Sequence, residues 1–118
     1  MKILIVDDDL DVLGALKRNL EDIDCLVEIA TNASWALKTL SFFSGSDIDL
    51  VVTDYSMPGG MNGLELASAI RDFGFKMPIW LLSASDIDEE YAIGCGISGF
   101  FSKSEPNKLR EALKNFRK

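Results

Sequence analysis

Apolar residues follow two rhythms along this chain. Mostly apolar runs at residues 3–6, 26–30, 48–53, 78–83 and 99–102, two of them interrupted by Glu28 and Asp49, are rich in Ile, Val, Leu and aromatic side chains and read as strands. The continuous run from Ile3 to Val6 has the composition of a strand covered on both faces, because neither side of it meets water. Between the runs, apolar residues return at helical spacing. Val12, Leu13, Leu16, Leu20 and Ile23 predict a helix over about residues 10–23, and Ala33, Ala36, Leu37 and Leu40 predict a second, capped by Thr31 or Asn32, with Trp35 at its rim. Residues 41–49, with Gly45, read as a loop. Leu64, Ala67 and Ile70 predict a third helix over residues 64–71, stopped by Gly74 and Pro78. A short fourth follows Asp86 or Asp88, with Glu89 and Glu90 in its first turn and Gly94 and Gly96 at its end. Pro106 opens the last, in which Leu109, Leu113 and Phe116 share a stripe.

Strands alternating with helices require right-handed crossovers, so the sheet is parallel and helices cover both faces. The expected architecture is α/β, a doubly wound (βα)5 three-layer sandwich with a five-stranded sheet. In such a sheet all strand C-termini share one edge. Asp7 and Asp8 after the first strand, Asp54 after the third, Ser83 at the end of the fourth and Lys103 after the fifth therefore converge there.

Composition narrows the function. At 118 residues, 47% hydrophobic and 26% charged, the chain is expected to be one domain over residues 1–118. No apolar run approaches the roughly 20 residues that span a bilayer. The short apolar opening, followed by Asp7-Asp8-Asp9, makes a poor secretory signal, so no membrane attachment is expected. Cys25 and Cys95 sit far apart in no metal-binding spacing, which predicts reduced thiols in a cytoplasmic protein. A net charge of −7 opposes direct nucleic-acid binding. Lys108, Arg110, Lys114, Arg117 and Lys118 crowd the C-terminal end, where cations suit a helix dipole and a solvated face.

The candidate chemistry centres on Asp54, which closes an apolar run and is followed by the turn signals Pro58-Gly59-Gly60 and Asn62-Gly63. Taken singly, each residue at the shared edge has an ordinary reading. Asp54 and Ser83 suit turns, Asp7-Asp8-Asp9 suits a helix cap, Lys103 a solvated loop, and Phe100 and Phe101 a core. Together they read differently. Carboxylates brought into contact repel, and one takes up a proton unless a cation relieves it. Mg²⁺ accepts carboxylates, a carbonyl, waters and phosphate oxygens. Lys103 adds a fixed positive charge and Ser83 a donor for the remaining oxygens of a phosphoryl group. The set predicts a Mg²⁺-assisted phosphoryl acceptor with Asp54 as nucleophile. The chain has no histidine, so any phosphohistidine donor belongs to another molecule.

Over essentially its whole length the sequence resembles the two-component response-regulator receiver domains. Asp7-Asp8 matches the family's acidic pair, Asp54 its phosphoacceptor, Met57-Pro58 and Asn62-Gly63 its following loop, and Ser83-Ala84 its hydroxyl and small residue. Phe100 matches its switch aromatic and Lys103 its lysine. The resemblance implies a flavodoxin-like fold with strand order 2-1-3-4-5 and phosphotransfer from a histidine kinase or histidine phosphotransfer protein. It implies Mg²⁺ held by Asp8, Asp54 and the Ser56 carbonyl, with Asp7 acting through water. It also implies a switch in which Ser83 is drawn toward the phosphoryl group and Phe100 turns inward. That motion remodels the face of the fourth helix, fifth strand and fifth helix, which meets a downstream protein. On this reading the chain is a signalling phosphoacceptor rather than an enzyme, acting alone or as part of a larger protein.

Three features depart from the family pattern. Ser104 stands where the family usually has a proline, often in a cis bond; a non-proline cis bond costs about 2.5–4 kcal/mol, so a trans bond is expected. The loop from Met57 to Gly63 is one residue longer than the commonest pattern, and Phe100 lacks a tyrosine's hydroxyl. Ser56 and Ser85 flank the site and can tune hydrolysis. Two other functions fit parts of the pattern. Asp7-x-Asp9 superficially matches the nucleophile motif of haloacid-dehalogenase-type phosphohydrolases, and a receiver fold can also serve as an unphosphorylated interaction module.

Overall fold

The computed structural model describes residues 1–22, 25–42, 47–57, 60–84 and 86–116. Strands β1 (Lys2–Val6), β2 (Leu26–Ala30), β3 (Leu50–Asp54), β4 (Ile79–Ser83) and β5 (Gly99–Ser102) alternate with five helices. These are α1 (Leu10–Glu21), α2 (Ala33–Phe42), α3 (Gly63–Asp72), α4 (Glu89–Gly94) and α5 (Pro106–Phe116). All strand pairs are parallel, in the order β2-β1-β3-β4-β5, the flavodoxin-like arrangement expected. β3 lies at the centre and is buried throughout, which is why its sequence shows no polar alternation.

Successive strand side chains point to opposite faces, so each strand contributes to two cores. Ile3, Ile5, Leu50, Val52 and Leu82 pack with Leu13 and Leu20 of α1 and Leu109 and Leu113 of α5. On the other face Leu4, Val6, Val51, Ile79 and Leu81 pack with residues of α2, α3 and α4, among them Leu40, Leu64, Ile70 and Ala92. Fully burying one such side chain stabilises by about 1.5–3 kcal/mol, and this holds the strand ends in fixed positions. Trp80 of β4 adds an aromatic contact, its ring 5.0 Å from Phe101 and 5.4 Å from Phe116 at the far end of α5.

Some boundaries moved. Ile48 is buried but precedes β3, and the strand takes in Asp54, so the acid is the last residue of the ladder. α1 ends at Glu21, and α2 continues through Phe42 into the stretch read as loop. Asn32 rather than Thr31 accepts the hydrogen bond at the start of α2, from Trp35 N–H at 2.8 Å, and Trp35 itself is 47% exposed. Asp88 rather than Asp86 caps α4, accepting from Tyr91 N–H at 3.2 Å. Ile23, Gly45, Pro58, Gly59, Ser85, Arg117 and Lys118 lie outside the described residues. Among those described, no helix is long and apolar enough to cross a membrane. Cys25 is buried and Cys95 half-buried, without a disulfide between them.

Candidate functional site

The acidic run after β1 divides into three different environments. Asp7 continues the ladder, its N–H donating to the Ala30 carbonyl at 3.1 Å, and its side chain turns inward with 1% exposure. Asp8 stays exposed. Asp9 caps α1, its Oδ1 accepting from the N–H groups of Asp11 at 2.9 Å and Val12 at 3.3 Å, so the third acid is committed to the helix. That commitment leaves the Asp7-x-Asp9 hydrolase pattern without its second carboxylate in the cluster.

The central position of β3 delivers Asp54 to the rim, buried and beside the Asp7 side. Ser83 ends β4 as a buried residue, and its carbonyl accepts from Lys103 N–H at 2.9 Å, which registers the chain leaving β5 against β4. The Lys103 side chain then reaches back over the sheet edge. Its Nζ stands 3.0 Å from Asp54 Oδ2 and 3.4 Å from Asp7 Oδ2. The peptide bond that follows, to Ser104, is trans.

Asp7, Asp8 and Asp54 each bring a carboxylate oxygen within 4.8 Å of the others. Asp8, Asp54, Ser56, Ser83 and Lys103 line an open pocket of about 250 Å³. A groove of about 370 Å³ between α1 and α5 is mostly apolar and has no carboxylate in its lining, so it offers no comparable chemistry. Ser83 also borders a cavity of about 450 Å³ on the other side of the strand end, which it shares with Phe100 and Ile87. Phe100 is half-buried there against the α2–α4 core, while Phe101 faces the opposite core.

The electrostatics suit a hard cation. Burial pushes the Asp7 carboxyl above the ordinary carboxylate range; the Asp9 N–H bond to Oδ1, at 2.9 Å, opposes this, and the charge of Asp54 adds to it. Asp7 Oδ2 is buried and accepts no hydrogen bond. For Lys103, burial pulls the ammonium down, but the hydrogen bond to Asp54 and the charges of Asp7 and Asp54 outweigh it, and the net shift is upward. A buried carboxylate oxygen whose ion-pair partner, Lys103 Nζ, stands 3.4 Å away, beside two further acids, is a donor set that suits a small divalent cation.

One residue that the sequence marks as a turn signal and as part of the family's loop packs directly against the backbone of the acid. Gly63 opens α3 and donates its N–H to the Tyr55 carbonyl at 2.7 Å. A Cβ there would collide with the Asp54 carbonyl oxygen and come within 2.9 Å of Leu81 Cδ1. Alanine inside a helix is ordinarily favoured over glycine by about 1 kcal/mol. Here overpacking reverses the sign: Gly63→Ala is expected to destabilise by about 1–3 kcal/mol in thermal or urea unfolding, and a stabilised variant would contradict the close approach. The signal in the sequence was Asn62-Gly63 with Glu65, whose capping box marks the helix start.

A family model described as the response regulator receiver domain matches residues 3–114. The chain is 36% identical over 104 residues to the putative two-component response regulator ARR21 of Arabidopsis thaliana, covering 87% of this chain and 16% of that protein. It is 32% identical over 117 residues to response regulator MprA of Mycobacterium, covering 99% of this chain and 49% of that protein. It thus spans about half the length of one curated relative and far less of the other. Among solved structures, Vibrio cholerae chemotaxis protein CheY4 superposes with a TM-score of 0.83 at 27% identity, covering 97% of this chain and 96% of that one. Thermotoga maritima response regulator TrrA, solved in complex with Mg²⁺–BeF, superposes at 0.81 with 33% identity and the same coverage.

Proposed function

This chain belongs to the response regulator receiver domain family, a signalling module, and from that premise we propose that Asp54 accepts a phosphoryl group from a phosphohistidine. The donor is a histidine kinase or a histidine phosphotransfer protein. The observation that carries this reading is the pairing of Lys103 Nζ with Asp54 Oδ2 at 3.0 Å beside the three-carboxylate cluster.

A carboxylate oxygen of Asp54 attacks phosphorus as the P–N bond to the donor imidazole breaks, giving an acyl phosphate and a free imidazole that takes up a proton. Lys103 is held where negative charge gathers on the phosphoryl oxygens, and Ser83 can donate to another of them. Asp8, Asp54 and the Ser56 carbonyl would hold Mg²⁺, with Asp7 acting through water. When bound, the ion supplies charge neutralisation for the incoming phosphoryl oxygens.

Ser83 borders both the acidic pocket and the Phe100 cavity, which supports a switch. Movement of Ser83 toward a phosphoryl group opens room for Phe100 to turn inward, and this remodels the α4–β5–α5 face for a downstream protein.

The test is incubation with acetyl phosphate and Mg²⁺, followed by peptide mapping of the labile adduct. One phosphoryl group on Asp54, absent from the Asp54→Asn variant, is the expected result. Label on Asp7 would overturn the assignment, and no adduct at all would favour an unphosphorylated interaction module.

A further inference from the structure

Lys103 occupies the first position after β5, where nothing in the ladder fixes the residues beyond it. Ser102 and Lys103 nonetheless lead into an ordered turn. Glu105 N–H donates to the Ser102 carbonyl at 3.1 Å, closing a four-residue turn with Lys103 and Ser104 at its centre. Inside that turn the two serine side chains meet. Ser102 Oγ lies 2.7 Å from Ser104 Oγ and accepts from Ser104 N–H at 3.2 Å. Ser102 is itself registered opposite Ser83 in the β4–β5 ladder. The clasp therefore closes the chain on both sides of Lys103, anchored at one end to the sheet.

We propose that the hydroxyls of Ser102 and Ser104 are positioning residues for Lys103, holding its side chain against Asp54 and Asp7 across a Lys–Ser link that has no proline ring to restrain it. A proline at position 104 would fix one backbone angle covalently. Here two side-chain contacts restrict the same turn. Ser104 is exposed and Ser102 half-buried, and neither lines the acidic pocket, so they act on the site through the lysine. The inference rests on the phosphoacceptor reading for its kinetic readout, and on the Lys103 ion pairs alone for its second readout.

The test is the variant Ser102→Ala/Ser104→Ala, compared with the unaltered chain, Ser102→Thr, and both sets of changes in a Lys103→Ala background. Adduct formation from saturating acetyl phosphate and Mg²⁺ is expected to slow about threefold to tenfold in the double variant, the effect of one or two ordinary hydrogen bonds. Half-saturating Mg²⁺ stays unchanged, and Ser102→Thr keeps the wild-type rate. In the Lys103→Ala background the serine changes produce no further slowing, because their effect passes through the missing ammonium. Equal slowing in both backgrounds, or an unchanged rate, overturns the proposal.

A second readout is independent of phosphorylation. In crystal structures grown without phosphodonor, Lys103 Nζ is expected to leave its 3.0 Å contact with Asp54 Oδ2 or to become disordered in the double variant, with the unfolding temperature reported alongside. If the unaltered chain forms no adduct, the functional reading fails while this geometry still decides the clasp. An ordered, unmoved Lys103 side chain in a folded double variant sinks it.

Discussion

Replacing Lys103 by alanine slows formation of the Asp54 adduct about 10²- to 10³-fold at saturating Mg²⁺, the loss that follows removal of one preorganised charge from a group-transfer centre. The expectation comes from position: the ammonium is already 3.0 Å from the acid before any phosphoryl group arrives, so no reorganisation is needed when charge develops. The same substitution acts on the resting protein. The Lys103 side chain is 27% exposed, but its partners Asp7 and Asp54 are 1% and 5% exposed, so truncation leaves two buried acids facing each other without a counter-charge. A metal-free unfolding temperature several degrees lower is expected, partly restored by Mg²⁺. A variant that forms the adduct at the wild-type rate would remove Lys103 from the site.

Asp7→Asn has the opposite effect on stability. Because burial holds the folded-state pKa of Asp7 above its ordinary value of 3.8, its stabilising contribution is fully present below that ordinary value and is lost as pH rises through the raised one. At neutral pH the ionised Asp7 therefore subtracts from metal-free stability, and a neutral amide of the same shape removes that cost while its oxygen can still accept from Asp9 N–H. Thermal unfolding without metal should show the variant several degrees more stable at pH 7 and nearly equal to the unaltered protein near pH 4. Mg²⁺ affinity should fall about 10- to 100-fold, the usual consequence of losing a partner that acts through a bound water. A variant less stable at neutral pH, or with unchanged Mg²⁺ dependence of its unfolding, would contradict this account of the acidic pocket.

The scaffold was legible because the strands are short, mostly apolar runs and each helix carries a periodic stripe, two patterns that burial imposes. The rim residues followed from topology: once the sheet is parallel, Asp7, Asp54, Ser83 and Lys103 have to share an edge. Boundaries were harder. Ile48 is as buried as a strand residue, and hydropathy cannot distinguish a side chain covered by a core from one paired in a ladder. The choice between Asp86 and Asp88 turned on where α4 begins, and both lie at acceptable spacing from Glu89 and Glu90. Positioning contacts were not readable at all. That Gly63 abuts the Asp54 carbonyl depends on the approach of α3 to β3, and that Ser102 meets Ser104 depends on the turn between them. Asp9 looked equivalent to its two neighbours until helix α1 claimed its carboxylate.

Asp8, Asp54, Ser83 and Lys103 belong to neither apolar cluster, although each is delivered by a strand that does. Interior and reactive edge are therefore separately editable. A lineage, or a protein engineer, can rewrite the acids, hydroxyl and ammonium while keeping both apolar clusters, at the stability change each buried charge carries, and so graft a different reactivity onto an inherited frame.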